Sequence, residues 1–184
     1  MLKNTTQNII WTIGHSTHSL AQLNAWLRAF EIEMVVDIRS YPGSRKYPQF
    51  NKEALEISLP QAGFQYLHLK ELGGRRKASA DSNNTAWHHP AFQGYADYME
   101  TAAFKTGIQK LEQIAKAQRT AIMCSEVLWW RCHRSMIADY LKLHGWIVFH
   151  IMGLGKGGEH PYTAPAKIDK DELSYQKGRL LRRN

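Results

Sequence analysis

Cysteine is scarce in this chain of 184 residues, which has two, Cys124 and Cys132. A scaffold of several disulfides is thereby excluded. In a chain read as cytosolic, the pair is expected as free thiols, ligands or catalytic groups. Long apolar runs are missing as well. None reaches the roughly 18–20 residues that cross a bilayer, so no membrane partner is expected. The opening MLKNTTQNIIWTIG lacks the long apolar stretch and small-residue cleavage site of an export signal, and a cytoplasmic location is expected. Paired C-x2-C spacings are absent, so no metal or other cofactor is expected. Acids are the minority charge, 16 against 24 Lys and Arg, for a net +8 and a pI near 9.5. That balance admits a polyanionic partner, either nucleic acid or a phosphorylated small molecule; the alternative is a charge that serves solubility.

What is present is an ordinary globular composition, 43% hydrophobic and 22% charged. The length suits a single α/β domain over 1–184, with a core at about 9–152 and a basic extension over 153–184. The last eight residues, KGRLLRRN, hold four cations and no acid. They read as a solvated terminus, with a nucleic-acid tether as the alternative.

The hydrophobic pattern alternates strand and helix. Ile9-Ile10-Trp11-Thr12-Ile13 is a buried strand, rich in β-branched and aromatic residues, and it stops at Gly14-His15-Ser16. Ser19 with Gln22 forms a capping box ahead of Leu20, Leu23, Leu27 and Phe30 on one helical face. Met34 to Ile38 is a second strand, completing a βαβ unit. Arg39 to Asn51 carries two prolines and a glycine and is read as irregular. A short helix is expected over Lys52–Gln61 and a third strand over Phe64–Leu69. Gly73 to Pro90 is longer than an ordinary connection, hence mobile or functional. Phe92, Tyr95, Tyr98 and Met99 share a helical face, and Thr106 with Gln109 starts another helix through Ile108, Leu111 and Ile114. Thr120–Cys124 is a strand, Cys132–His144 a helix stopped by Gly145, and Trp146–Met152 the last strand. No internal repeat is visible. This order favours a parallel sheet covered on both faces.

In such a sheet, sites form outside the carboxyl ends of the strands. His15 and Ser16 follow the first strand, Asp37 and Arg39 end the second, Cys124 and Glu126 end the fourth, and His133 and Arg134 open the next helix. The densest signal is MCSEVLWWRCHR, from Met123 to Arg134. A strand-end thiol near a helix start lies in a positive field that favours thiolate. Arg131 and Arg134 would lower its pKa further and bind an oxyanion. The logic is that of cysteine phosphatases and sulfurtransferases, but the spacing departs from it. Six residues rather than five separate Cys124 from Arg131, and Leu128, Trp129 and Trp130 stand where glycines would. The structural alternative for Cys124 is a small buried hydrophobe. Cys132 and His133 together with Cys124 also admit a metal reading, with His15 or His150 completing the set. Asp37 and Arg39 share one face of an apolar strand, where a charge needs a partner. Arg45 extends a positive rim. Glu126 is the natural acid/base carboxylate, with a salt-bridge partner role as its alternative.

These residues together give a resemblance. TIGHS (Thr12–Ser16) is followed by VDIRS (Val36–Ser40), with Pro42, Ser44-Arg45, Pro48 and Phe50. Leu72-Gly73-Gly74, Phe92, Tyr95, Tyr98 and Met99 come next. Cys124, Glu126, Cys132-His133-Arg134, Ile137-Ala138, Val148 and His150-Ile151 complete the pattern. From about Ile9 to Met152 the chain resembles the family catalogued as domain of unknown function 488. The resemblance implies a compact three-layer α/β sandwich and names no reaction. The family pattern often has proline between the Glu and the second Cys, where this chain has Leu128-Trp129-Trp130.

The leading expectation is an enzyme acting on a phosphate-bearing or nucleic-acid-related substrate. Cys124 would be nucleophile or redox thiol, and Glu126, His133 and Asp37 would complete the catalytic set. Arg39 and Arg134 would clamp anions, with His15, Ser16, Arg45 and Cys132 in supporting binding roles. The alternative is a non-catalytic nucleotide or nucleic-acid binding module using the same cationic crevice.

Overall fold

The computed structural model describes residues 7–178. Its centre is a six-stranded sheet built from β1 (Ile9–Gly14), β2 (Met34–Asp37), β3 (Gln65–His68), β4 (Thr120–Cys124), β5 (Ile147–Gly153) and β6 (Lys156–Glu159). The order across the sheet is β3-β2-β4-β1-β5-β6. The first five strands are parallel, and β6 returns antiparallel beside β5. Five helices are described: α1 (Leu20–Ala29), α2 (Lys52–Gln61), α3 (Pro90–Met99), α4 (Ala102–Ala117) and α5 (Arg134–Leu143).

The sandwich follows from the two-residue period of a strand. Ile10, Val36, Ile122 and Val148 point to one face, where they meet Tyr95, Met99, Phe104, Ile108, Leu111 and Met136 of α3, α4 and α5. Trp11, Ile13, Val35, Ala121 and Met123 point to the other, against Leu23 and Leu27 of α1 and Leu55 and Leu59 of α2. Both faces being covered, these strands read as unbroken apolar runs rather than alternating ones. Leu27 is fully buried, and truncating such a leucine to alanine costs about 2–5 kcal/mol.

Local chemistry sets the helix ends. Ser19 and Gln22 form the expected capping box, each side chain bonding the other's backbone N–H at 2.9 and 3.2 Å. Gly145 stops α5 with a φ of +81°, a left-handed conformation that costs glycine little.

Three sequence expectations need revision. The fourth helix starts at Ala102, capped by Thr101, and Thr106 lies inside it. Thr106 instead bonds back to the carbonyl of Ala102, a mid-helix habit that imitates a start in sequence. Pro48–Phe50 forms one 3-10 turn in the stretch read as irregular, because proline suits a first helical position. Trp146–Met152 is not the last strand. Beyond it lie β6 and a separate hairpin of β7 (Lys167–Asp169) and β8 (Glu172–Ser174). Their glycines and charges hide the usual strand pattern.

Candidate functional site

The carboxyl ends of β2 and β4 open on a cleft of about 470 Å3. Arg39 and Ser40 line it from the end of β2, Cys124, Ser125 and Glu126 from the end of β4, and Trp130 to His133 from the turn before α5. Gly74 and Arg75 approach from the long loop, and His89 and Phe92 from the start of α3.

Cys124 and Cys132 are both buried and both free. Their sulfurs and a ring nitrogen of His133 lie within 4.8 Å of one another. The Cys132 sulfur sits 3.6 Å from His133 Nδ1. A hydrogen bond from the Cys132 thiol holds Cys124 well below the ordinary thiol range, outweighing burial; His133 and a backbone hydrogen bond at Glu126 act in the same direction. Cys132, as the donor and buried, is pushed well above that range. The shared hydrogen bond thus drives the two thiols apart and favours thiolate on Cys124 over Cys132. Arginines are not the main cause of the shift.

A second chain of contacts fixes Arg39. Its Nε and Nη2 donate to the two carboxylate oxygens of Asp37 at 2.8 and 2.5 Å, and Nη2 also donates to the Phe50 carbonyl at 2.8 Å. Tyr66 donates its hydroxyl to the same carboxylate at 2.8 Å. Arg39 Nη1 lies 3.1 Å from His15 Nε2. A guanidinium only donates, so Nε2 accepts and Nδ1 carries the proton that reaches the Ser16 carbonyl at 3.0 Å. Burial, and then the charge of Arg39, lower His15 to about 4, so it stays neutral. These bonds occupy four of the five guanidinium N–H groups and leave one on Nη1.

Residues 19–141 match the family model described as Domain of unknown function DUF488.

The chain belongs to this family.

No curated protein and no solved structure matches it. The match covers about two thirds of the DUF488 chain and includes Asp37, Arg39, Cys124, Glu126 and the Cys132-His133-Arg134 run.

Not all of the expected site residues face the cleft of the DUF488 chain. Arg39, Cys124, Glu126, Cys132 and His133 do. Asp37 is fully buried behind Arg39, and His15 stacks on Phe50 with ring centroids 4.1 Å apart. Ser16 takes a left-handed φ of 44° and donates its N–H to the Ser125 carbonyl, tying the β1 end to the β4 end. Arg45 is exposed and outside the cleft lining. Arg134, expected as an anion clamp, is 1% exposed and donates to the Val127 carbonyl at 2.7 Å. It braces the loop after β4 from beneath. That loop passes so near β1 that a Cβ on Gly14 would fall 1.9 Å from the Glu126 carbonyl oxygen.

The lining residues that sequence reasoning left out include Ser40, Tyr41 and Ser125 beside the expected strand ends, Gly74 and Arg75 from the long loop, and His89 and Phe92 from the start of α3. Gly74 admits the His133 ring, since a Cβ there would fall 2.2 Å from Nδ1. Arg75 is exposed with its guanidinium over the Tyr41 ring, and its N–H donates to Ser40 Oγ at 3.0 Å. The signal available for them was the loop's length and its glycine pair. Glu126 is exposed, and its carboxylate accepts from the Leu128 N–H at 3.3 Å. Among the described residues, no helix is long and apolar enough to cross a membrane.

Proposed function

We propose that this DUF488 protein is an enzyme acting on a phosphate-bearing or nucleic-acid-related substrate, with Cys124 as its nucleophile. One observation carries the reading. The sulfur whose environment favours thiolate lies in a cleft lined by three arginines, Arg39, Arg75 and Arg131. A thiolate and anion-binding guanidiniums in one concavity suit attack on an electrophilic centre beside a phosphate.

The Cys124 sulfur would donate an electron pair to that centre, forming a covalent bond while the leaving group departs with its own pair. His133, close to both sulfurs, is placed to hand that group a proton. Glu126 at the mouth is placed to activate the water that then releases the adduct. Asp37 is a positioning residue, because it acts through Arg39. Tyr41, Phe92 and Trp130 supply flat apolar surface to the cleft, which suits a base or another ring.

The test is turnover and trapping together. Nucleoside phosphates and short single-stranded oligonucleotides are incubated with wild type and with Cys124→Ser, and intact-protein mass spectrometry looks for an adduct. Turnover lost in the variant, with an adduct mapped to Cys124 in wild type, supports the reading. Equal turnover by both proteins would sink it. Saturable protection of Cys124 by these ligands with no turnover would favour the binding module instead, a reading the exposed Arg75 and Arg131 also suit.

A further inference from the structure

We infer that Cys124, Cys132 and His133 form a binding site for a thiophilic d10 dication such as Zn2+, whose loading silences the thiolate proposed above as nucleophile. The inference rests on the same site, but its geometric argument stands on different facts. Three donors of the kind that bind such a cation lie within 4.8 Å of one another. They come from two places in the chain, the end of β4 and the turn before α5, so no short sequence spacing announces them.

Tetrahedral zinc, with bonds of about 2.3 Å to sulfur and 2.05 Å to nitrogen, separates the two donor atoms by about 3.6 Å. Cys132 Sγ and His133 Nδ1 are 3.6 Å apart. His133 Nε2 is buried and has no hydrogen-bond partner among the described residues. No contact at Nε2 therefore fixes the ring tautomer against ligation through Nδ1. All three residues line the cleft, so the cation has an entry path, and the fourth tetrahedral position falls to a water or an anion from the cleft. Two sulfurs and an imidazole exclude Mg2+ and Ca2+, which demand oxygen ligands.

A sulfur that coordinates the cation shares its charge with it and has the cation in its line of approach, so it is a far weaker nucleophile than the free thiolate. Substrate and cation thus exclude each other at Cys124. Binding releases whatever proton the two sulfurs still hold, leaves every oxidation state unchanged and needs no further reactant.

The experiment titrates the reduced, chelator-treated protein with Cd2+ and follows the thiolate-to-cadmium charge-transfer absorbance in the ultraviolet. One equivalent is expected to saturate the band. Cys124→Ser and Cys132→Ser should each abolish it, and His133→Ala should weaken affinity by more than about tenfold, at least what loss of an outer contact costs a metal site. Co2+ on wild type, read by its visible tetrahedral bands, gives a second measurement that depends on no variant. Absence of both bands on wild type, or a band unchanged in a folded Cys132→Ser, overturns the inference. The two readings fail separately. Cadmium binding to a protein whose metal-free Cys124 forms no substrate adduct would remove the proposed reaction alone, and an adduct without cadmium binding would remove the metal site alone.

Discussion

Trp129 lies flat on His150, with ring centroids 4.2 Å apart and planes 6° from parallel. The indole belongs to the turn that delivers Cys132 and His133, and the imidazole belongs to β5. Behind His150 runs a buried chain with one consistent proton order. His160 Nε2 donates to Asp139 at 2.9 Å, which leaves Nδ1 to accept from His150 Nε2 at 2.9 Å. His150 Nδ1 then accepts from the Thr12 hydroxyl at 2.7 Å. Asp139 also accepts from the Thr163 N–H and hydroxyl and from the Tyr175 hydroxyl. The segment from His160 to Tyr175 is thus fastened to the core, and the turn carrying Cys132 and His133 rests on that fastening.

Asp139→Asn replaces one acceptor oxygen with a donor among four donors, inside a fully buried site. A loss of roughly 3 kcal/mol is expected, because donors buried without an acceptor keep their full desolvation cost. Urea unfolding of the two proteins measures it. A loss under about 0.5 kcal/mol, the size of an ordinary surface substitution, would mean the chain of bonds contributes little.

Alkylation should distinguish the two cysteines. Cys124 is expected to react with iodoacetamide around neutral pH, with a labelling midpoint below the ordinary thiol value of about 8.5, while Cys132 reacts only in stronger base. Peptide mapping after timed labelling, with chelator present, reads both sites. A Cys124 midpoint at or above that value removes the nucleophile.

His15 ties stability to acid. Its folded pKa of about 4 lies below the ordinary imidazole value of 6.5, so the unfolded chain takes up the proton first as pH falls. The stabilisation is complete above about pH 6.5 and fades as pH falls toward about 4. Between pH 7 and about pH 5 this one group removes about 2 kcal/mol. His15→Gln, which keeps an acceptor for Arg39 but does not titrate, should flatten the pH dependence by that amount in denaturant titrations. An unchanged slope would contradict the neutral, buried assignment.

Removing the Asp37 charge strands a buried cation. Asp37→Asn should cost about 3–5 kcal/mol, the usual consequence of breaking one side of a buried pair, because Arg39 is only 7% exposed. A thermal melt shows the loss directly. Little change in the melting temperature would mean Arg39 finds another partner or reaches solvent.

Salt dependence separates a polyanion site from a soluble surface. If single-stranded nucleic acid enters the cleft, Arg75→Ala and Arg131→Ala should each lower the slope of log affinity against log salt by about one. Fluorescence anisotropy of a labelled oligonucleotide from about 50 mM salt upward provides the slope. Unaltered slopes would place the contact elsewhere. The basic stretch with Arg182 and Arg183 lies outside the described residues, so these two cleft arginines are the informative pair.

Much of the framework was legible in the residues alone. Buried parallel strands need apolar side chains on both faces, and Ile10, Val35, Val36, Ile122 and Val148 announce them without tertiary information. A capping box is a local bargain between Ser19 and Gln22, and a helix stop at Gly145 depends on one residue's backbone freedom, so both are written in the chain. An acid and an arginine in the run VVDIRS similarly predict a buried pair, because neither charge survives burial alone.

What only the tertiary structure decided is which way the polar groups turn. Arg131 and Arg134 stand three residues apart and look equivalent in sequence. The crossing of the 125–127 loop over Gly14 draws Arg134 beneath it and leaves Arg131 in the cleft. The partner that lowers Cys124 is Cys132, eight residues along the chain, rather than a nearby arginine. His15 became a neutral acceptor because Phe50 and Arg39 enclose it. Strand and helix periodicity are set by neighbours in sequence. The state of a thiol or an imidazole is set by desolvation and by hydrogen bonds to groups that only the folded chain brings within reach.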